Sequence, residues 1–585
     1  MIGLVISLGI LIDNAIVMVE NIQDRLNQGS TAYEAMSAAV KELAGPLGAS
    51  TGTTLAAFTP LLLSSGGTAD FTRGIPVMIM LTLSVSYLLA ISFTPLLAAS
   101  FLKPAPAQRD VWFEQGGRSL AKLSERFPKM IIVAGLIIVV SSALSIRFLS
   151  IQFFPNADRP QVVIEMFLPE GTDQSHTAGI SADFERLIRE QDNVQSVHRF
   201  VGATGPGFYY NLPNSTRSPN RARLVVNLQS LDQTAPLMDW VRAYSASKMP
   251  EVDIVAGTLA QGPPRTAPVE VRVQHVDDQI RLAATEQVFG LIKSIPGAVD
   301  VRHDMDLGTP VLKVTVDGTR SDLSALLSSY IYNAVGDAIP LSVIAKVEAD
   351  WQAASIQHRN GVRIYSVTAG LDEGFSFSQI LDGLNAKLEA DPLPAGTTIE
   401  LGGDLESSGD ANQAILNTAP IGILLLLFFL LLQFNSYRRV GIILLTVPLA
   451  AAGIFPGLVL SDSPFGFQPL LGIIALVGIV VNNAIVLLDL IDTRLKSGDD
   501  IQTAVTEAVT RRTRPILLTT ATTVAGLLPL ALSSSTLWPP MAWAIISGLL
   551  ASTIQTLLVI PAVCRLTLGK KTAETSASFS QQHTM

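Results

Sequence analysis

Apolar residues fall into nine long runs, roughly 2–20, 46–64, 74–101, 130–146, 416–433, 440–460, 469–490, 515–534 and 541–563. Each holds about 20 residues, the length an α-helix needs to cross the hydrocarbon core of a bilayer. If successive helices alternate in direction, the polar connections between them sort into two classes. The segments 22–45, 102–129, 434–439, 491–514 and the tail after Leu566 are rich in Lys and Arg, whereas 65–73, 461–468 and 535–540 have Arg73 as their only basic residue. By the positive-inside bias the first class is cytoplasmic, which puts the long polar insert 148–410 on the outer side. The first run starts at Met1 without a basic leader. An odd number of spans with an apolar start reads as the middle of a longer protein, so an N-terminally truncated chain is expected.

Inside the insert the pattern shortens to strands and amphipathic helices. PQVVIEMFLP, a helix His176 to Gln191, VQSVHRFVG, RARLVVNLQS, a helix Thr234 to Lys248 and VDIVAGTLA form one β-α-β-β-α-β series. A second runs through PVEVRVQHV, a helix Gln279 to Ser294, VDVRHDM and PVLKVTVDG, then resumes at Val362 to Ala369 with a helix Phe375 to Ala390 and the strand TTIELGG. The fold class expected is a polytopic α-helical membrane protein of about nine spans carrying a periplasmic α+β insert of two ferredoxin-like split βαβ units. The corresponding divisions are 1–147 membrane, 148–410 periplasmic, 411–568 membrane and 569–585 a disordered cytoplasmic tail. Such an architecture by itself carries no function.

The first membrane run also occurs a second time. Gly3 to Ser65 aligns without a gap on Gly472 to Ser534, so that LGILIDNAIVMVENIQDRLNQG meets VGIVVNNAIVLLDLIDTRLKSG, Pro46 meets Pro515 and Pro60 meets Pro529. Six spans separate the copies, so both run the same way across the membrane. Transporters place coupling sites at the interface of such repeats.

Asp13 stands in the middle of the first run, and no other Asp, Glu, Lys, Arg or His lies as deep in any run. A charged side chain there costs about 2.5–3.5 kcal/mol on insertion scales, so it persists where it faces a bundle interior and has work to do. Asp13 is therefore the candidate proton carrier, against the plainer reading of a residue that only pairs within the bundle. Asn14, Asn482 and Asn483 form the matching polar patch and can supply the partners a buried carboxyl requires. Thr519 lies just inside the second helix of the second copy, with Thr520 beside it. Arg512 and Arg514 sit at its mouth, either as relay members or as ordinary positive-inside anchors. Glu20 and Asp489, equivalent in the two copies, are read as interfacial carboxylates or as a proton exit step.

Composition narrows the alternatives. Hydrophobic residues make up 48% and charged residues 15%, which argues against a wholly soluble enzyme. The single cysteine, Cys564, excludes a disulfide framework, and six scattered histidines show no metal-ligand spacing. A net charge of −9 argues against nucleic acid as a partner. Gly48, Ser50 and Gly52 spell G-x-S-x-G, yet no strand precedes them and no histidine lies in any apolar run, so a serine hydrolase is not expected. GKKT at Gly569 lacks the spacing of a phosphate-binding loop. No enzyme activity and no cofactor are expected.

At LGILIDNAIVMVEN, VNNAIVLLD and RPILLTT the chain resembles the resistance-nodulation-division superfamily, specifically its hydrophobe and amphiphile efflux branch. The resemblance runs from the fourth of the family's twelve spans to the last: 1–147 matches the fourth to seventh and 411–568 the eighth to twelfth. It implies a homotrimer in the bacterial inner membrane, driven by the proton gradient, that exports hydrophobic or amphiphilic compounds with a periplasmic adaptor and an outer-membrane channel. The pattern departs from the family in three ways. The first three spans and first periplasmic half are missing. Asp13 with Asn14, and Asn482, stand where the best-known members have two Asp and a Lys. VTVDGTR runs directly into SDLSALL, where the family inserts part of its docking domain. The loop GATGPGFYYNLPN falls where the family has a glycine-rich switch loop, which makes Phe208, Tyr209 and Tyr210 candidate substrate contacts, against the reading that they pack into a local core. Two functions stay open: a proton-driven efflux subunit, or a non-transporting remnant or partner that needs the missing half from another polypeptide.

Overall fold

The computed structural model describes residues 2–104, 111–212, 217–305, 309–316, 330–332, 338–340, 345–352, 356–372 and 374–568. Two compact units result, Met1–Asn156 with Gln261–Pro263 and Ser407–Met585, and Ala157–Ala260 with Pro264–Glu406.

The first unit is helical. Its elements are α1 (Ile2–Asn27), α2 (Ala32–Leu63), α3 (Gly67–Thr72), α4 (Gly74–Ile91), α5 (Phe93–Phe101), α6 (Val111–Arg126) and α7 (Pro128–Leu144). Each later helix is numbered in chain order, so the C-terminal set is α12 (Asp404–Phe434), α13 (Tyr437–Leu444), α14 (Thr446–Leu460), α15 (Phe467–Lys496), α16 (Ile501–Ala531) and α17 (Pro539–Leu568). Helix starts follow local chemistry: Thr31 and Glu34 form a reciprocal capping box at α2, and the Asp500 carboxylate accepts from the backbone N–H groups of Gln502 and Thr503 at α16. The expected run 74–101 breaks at Ser92 into α4 and α5, and the run 440–460 begins as two helices joined at Leu445. Seven helices among the described residues are long and apolar enough to cross a membrane: α4, α7, α12, the α13–α14 pair, α15, α16 and α17. α1 and α2 are not among these seven, against nine in the sequence reading.

Pairing in this unit follows the repeat. α1 packs on α16 while α15 packs on α2, so each copy's first helix lies against the other copy's second. Small residues let them approach. A Cβ on Gly9 would stand 2.9 Å from Thr523 Cγ2, and one on the equivalent Gly478 would stand 2.6 Å from Thr54 Cγ2. The same threonines donate across the contact, Thr523 Oγ1 to the Gly9 carbonyl at 2.9 Å and Thr54 Oγ1 to the Gly478 carbonyl at 3.3 Å.

The second unit holds two larger sheets with one topology, beside two two-stranded ladders. In the first, β1 (Gln161–Phe167), α8 (Gln174–Arg189), β2 (Val194–Val201), β3 (Arg221–Leu228), α9 (Thr234–Lys248) and β4 (Asp253–Thr258) give an antiparallel order β2-β3-β1-β4. Its core joins Val162, Ile164 and Met166 to Phe184 and Ile188 of α8. The second begins with β5 (Val269–Gln274), α10 (Asp278–Lys293) and β6 (Ala298–His303). Then follow β7 (Thr309–Val316), β8 (Tyr330–Tyr332), β9 (Ala338–Pro340), β10 (Ala345–Gln352) and β11 (Gln357–Arg359), and it closes with β12 (Val362–Leu371), α11 (Phe377–Ala390) and β13 (Thr398–Gly403). β12 pairs with β5 and β6, β5 with β13, and β11 with β12. PVLKVTVDG, read as a strand of this series, leaves the sheet: β7 pairs with β10 in a separate two-stranded ladder. β12 takes its place because it meets β5 along six residues and β6 along its C-terminal half, which fills that edge of β5. The junction of VTVDGTR with SDLSALL and the tail 569–585 lie outside the described residues.

Candidate functional site

Asp13 sits midway along α1, where helical periodicity turns it inward, and only 5% of it is exposed. Asn482 occupies the same place on α15, and the packing of the repeat brings the two together. Asn482 Nδ2 donates to Asp13 Oδ2 at 2.9 Å. The amide's other end is also engaged, because Ser50 Oγ on α2 donates to Asn482 Oδ1. Thr519 of α16 faces the same carboxyl, while its hydroxyl donates to the Ile516 carbonyl at 3.0 Å. Asp13 Oδ1 is buried without a hydrogen-bond partner among the described residues. A carboxyl with one satisfied oxygen and one open oxygen in an apolar bundle has a place for a proton or for a further donor.

The remaining expected relay residues divide. Asn14 is buried next to Asp13 but turns to α2, donating from Nδ2 to Thr51 Oγ1 at 3.3 Å. Asn483 is buried beside Asn482, and no hydrogen bond among the described residues joins it to Asp13. Thr520 pairs with Thr553 of α17 at 2.8 Å rather than with the carboxyl. Arg512 lies elsewhere. It is surrounded by Glu20, Asp489, Glu42 and Asp24; Glu20 stands seven residues beyond Asp13, about 10 Å along α1. Asp489 there accepts from Gln433 Nε2 at 3.2 Å. The polar groups of the bundle thus make two layers, a neutral amide and hydroxyl layer around Asp13 and a charged layer around Arg512. Ser50 and Thr51 were missed as members of the first layer. The repeat carries the signal, since Ser50 is the equivalent of Thr519, 469 residues further on.

In the second unit, Phe208 and Tyr210 are 40% and 57% exposed. Tyr209 instead packs against Ala157, Val163 and Leu259, with the Arg159 guanidinium 5.3 Å from its ring centre. Burial, helped by Tyr210, pushes the Tyr209 phenol up to about 12. The left-handed Gly205 (φ +76°) turns the chain over the Phe200 ring, which a Cβ would meet at 2.7 Å. The Tyr209 and Tyr210 rings lie 4.7 Å apart, tilted by 44°, so the expected cluster reduces to this pair.

Against this geometry the comparisons are specific. The model of the AcrB/AcrD/AcrF family matches residues 1–322 and 318–567. The chain belongs to this family of resistance-nodulation-division permeases, multi-pass proteins of the bacterial inner membrane with a periplasmic domain. Among curated relatives, it is 23% identical over 654 aligned positions to the nickel-cobalt-cadmium resistance protein NccA of Alcaligenes xylosoxydans xylosoxydans, covering 97% of this chain and 59% of that protein. It is likewise 23% identical to the nickel and cobalt resistance protein CnrA of Cupriavidus metallidurans, covering 97% and 60%. Two crystal forms of a heavy metal efflux pump share the fold. Form II has TM-score 0.74 at 21% identity over 96% of this chain and 61% of that one; form I has 0.76 at 19% over 96% and 62%. The chain spans about 60% of the length of the curated relatives it matches.

These relatives overturn one expectation. The hydrophobe and amphiphile branch, with multidrug or xenobiotic cargo, does not hold; the named relatives are metal-resistance proteins and the similar structures a heavy metal pump. The reason is physical. All three motifs that carried the resemblance lie in α1, α15 and α16 and describe the polar patch between them, and nothing in that patch distinguishes a metal cation from an amphiphile as cargo. With the amphiphile gone, the aromatic loop also loses the ligand class that made its rings attractive.

Proposed function

We propose that the chain is the larger part of a proton-driven pump whose cargo is a heavy-metal cation, moved outward across the inner membrane. The observation that carries the energy coupling is the Asp13–Asn482 hydrogen bond across the repeat interface. A proton taken up by Asp13 removes the charge that the amide N–H answers, and so alters the contact between α1 and α15. One charge falling through the membrane potential supplies about 2.3 kcal/mol per 100 mV, enough to move a near-balanced packing equilibrium. The cargo class rests on the metal-resistance relatives. Among the described residues no group of three or more His, Cys, Asp or Glu side chains could hold a metal ion, so no cage is assigned.

The same reading includes finer parts. α1 and α2 count as spans, because they pack on α16 and α15, which gives nine. The two sheets are read as ferredoxin-like split βαβ units of a periplasmic porter domain over 148–410, between membrane parts 1–147 and 411–568. A trimer working with a periplasmic adaptor and an outer-membrane channel follows from the family. No cofactor is invoked beyond the proton gradient.

A second reading takes up the span of about 60% of its relatives' length: this stretch is a partner that transports only together with the part of the pump those relatives have in addition. Proteoliposomes with an imposed pH gradient, tested with nickel, cobalt and cadmium ions separately, decide between them. Gradient-dependent uptake by the chain alone supports the first reading; uptake only when an N-terminal half of a family member is added supports the second. No uptake of any of the three ions in either case would sink both.

A further inference from the structure

We propose that Ser50 is a positioning residue of the proton site, a reversible hydroxyl that satisfies the far end of the Asn482 amide in either orientation and so lets the amide turn with the charge of Asp13. This rests on the reading of Asp13 as proton carrier and goes beyond it in naming the group that reads its charge.

The geometry is a three-residue chain through three helices. Ser50 on α2 donates to Asn482 Oδ1 on α15, and Asn482 Nδ2 donates to Asp13 Oδ2 on α1. All three side chains are buried, so their hydrogen bonds have no solvent to fall back on. An amide has one accepting and one donating end, so fixing one end fixes the other. With Asp13 ionised, the donating end must face it, and the accepting end must then find a donor. Ser50 is that donor. With Asp13 protonated, the carboxyl itself can donate, and the amide is better satisfied turned by half a revolution, Oδ1 toward Asp13 and Nδ2 toward Ser50. That arrangement needs an acceptor at position 50. A hydroxyl can be donor in one state and acceptor in the other without turning the side chain; its own proton then turns to a carbonyl of the preceding helical turn, a bond helical serines make readily. Ser50 keeps its proton throughout, so no proton passes through it. What passes is the polarity of the hydrogen bonds, from α1 to α2.

The repeat supplies an independent argument. Ser50 and Thr519 are equivalent positions, as are Asp13 and Asn482, each pair 469 residues apart. Ser50 bonds Asn482 while Thr519 faces Asp13. A hydroxyl of each copy therefore stands beside the polar residue of the other, bonded to it at Ser50 and facing it at Thr519. Its neighbour Thr54 repeats the relation, matching Thr523 in donating to a glycine carbonyl across the same two interfaces.

The test uses the full chain in lipid vesicles, comparing wild type, Ser50→Ala, Ser50→Thr and Asp13→Asn. Isotope-edited infrared difference spectra across a pH titration follow the Asp13 carboxyl band and the side-chain amide band of labelled asparagine. In wild type the amide band should move in step with carboxyl protonation. S50A should keep a titrating carboxyl and lose the coupled amide change, S50T should keep both, and D13N should be silent. Gradient-driven cation uptake should fall about tenfold in S50A, the loss of one hydrogen bond to a charge-bearing network, and return to within about threefold of wild type in S50T. If the amide band still follows the carboxyl in S50A, or S50T behaves as S50A, Ser50 only fills space and the Asp13 reading survives. If no carboxyl band titrates in wild type while D13N is equally silent, the proton-carrier reading falls and the role of Ser50 falls with it.

Discussion

Asn482 donates to Asp13 across 469 residues of chain at 2.9 Å, and 469 is also the interval at which the sequence repeats. The hydrogen bond therefore joins a position to its own equivalent: one copy kept a carboxyl there and the other an amide. Replacing the carboxyl by a second amide, Asp13→Asn, preserves shape and removes the only group of the pair that can exchange a proton. Gradient-driven uptake should fall to the level of empty vesicles while the purified variant keeps its melting temperature. Asn482→Ala should be milder, about tenfold slower, because one hydrogen bond is lost and the proton-binding group remains. Transport at the wild-type rate in Asp13→Asn would place the coupling elsewhere.

The glycine contacts make a prediction about packing alone. Gly478→Ala puts a methyl 2.6 Å from Thr54 Cγ2, and Gly9→Ala one 2.9 Å from Thr523 Cγ2. Such overpacking costs about 1–3 kcal/mol. Thr54→Ser deletes the opposing Cγ2 and keeps the hydroxyl that bonds the Gly478 carbonyl, so it should recover part of the loss in the Gly478→Ala background. Thermal unfolding in detergent of the two single variants and the double variant measures this. Additive losses would mean that α2 and α15 do not meet at this point.

These contacts show what could be read from the chain and what could not. The nine apolar runs and the repeat placed Asp13 near Asn482, because the two are equivalent positions of a parallel repeat and a carboxyl in an apolar run has to face inward; the packing that joins them runs from each copy's first helix to the other copy's second. Arg512 was grouped with Asp13 by proximity in the repeat motif, but helical rise puts it two turns away, among Glu20 and Asp489. Ser50 was legible only through its equivalence to Thr519, since a serine in an apolar run is polar too weakly to stand out by period. In the outer insert, alternation located the strands, yet β7 and β12 have similar apolar patterns and only pairing shows which one joins the sheet. Cargo was not legible, because the distinguishing motifs belong to the proton site.

Glu185 of α8 gives the second unit a defined acid sensitivity. Burial pushes its carboxyl up, but hydrogen bonds and charge from Arg199 and Arg189 outweigh that and hold it below the ordinary glutamate range. A depressed folded value means that the unfolded chain binds the proton more tightly. The stabilisation is then complete above the unfolded value of about 4.3 and is lost as pH falls through the lower folded value. Denaturant unfolding should show Glu185→Gln less stable than wild type at about pH 7, with the gap closing as the pH falls below the ordinary glutamate range. A gap of constant size would show that the ion pairs contribute nothing beyond the neutral hydrogen bonds.

The aromatic loop offers three adjacent rings with unequal jobs. Tyr209 packs on Ala157, Val163 and Leu259 and lies under Arg159, so Tyr209→Ala opens a cavity and removes a cation–π contact. Its ring is partly rather than fully enclosed, which puts the expected cost at about 2 kcal/mol, below the 3–5 typical of a fully buried aromatic. Phe208 exposes 40% of its surface, and its replacement by Ala should stay within about 0.5 kcal/mol of wild type; Tyr210→Ala removes a ring contact with Tyr209 at 4.7 Å and should cost about 0.5–1.5 kcal/mol. Denaturant unfolding of the three single variants separates the cases. Equal losses in all three would make the loop one small core, and no loss in Tyr209→Ala would mean that the packing around Ala157 forms without it. The predicted pattern grades the three rings, Tyr209 holding the loop, Tyr210 leaning on it and Phe208 at the surface, so Phe208 is the ring to change in transport assays without disturbing the fold beneath it.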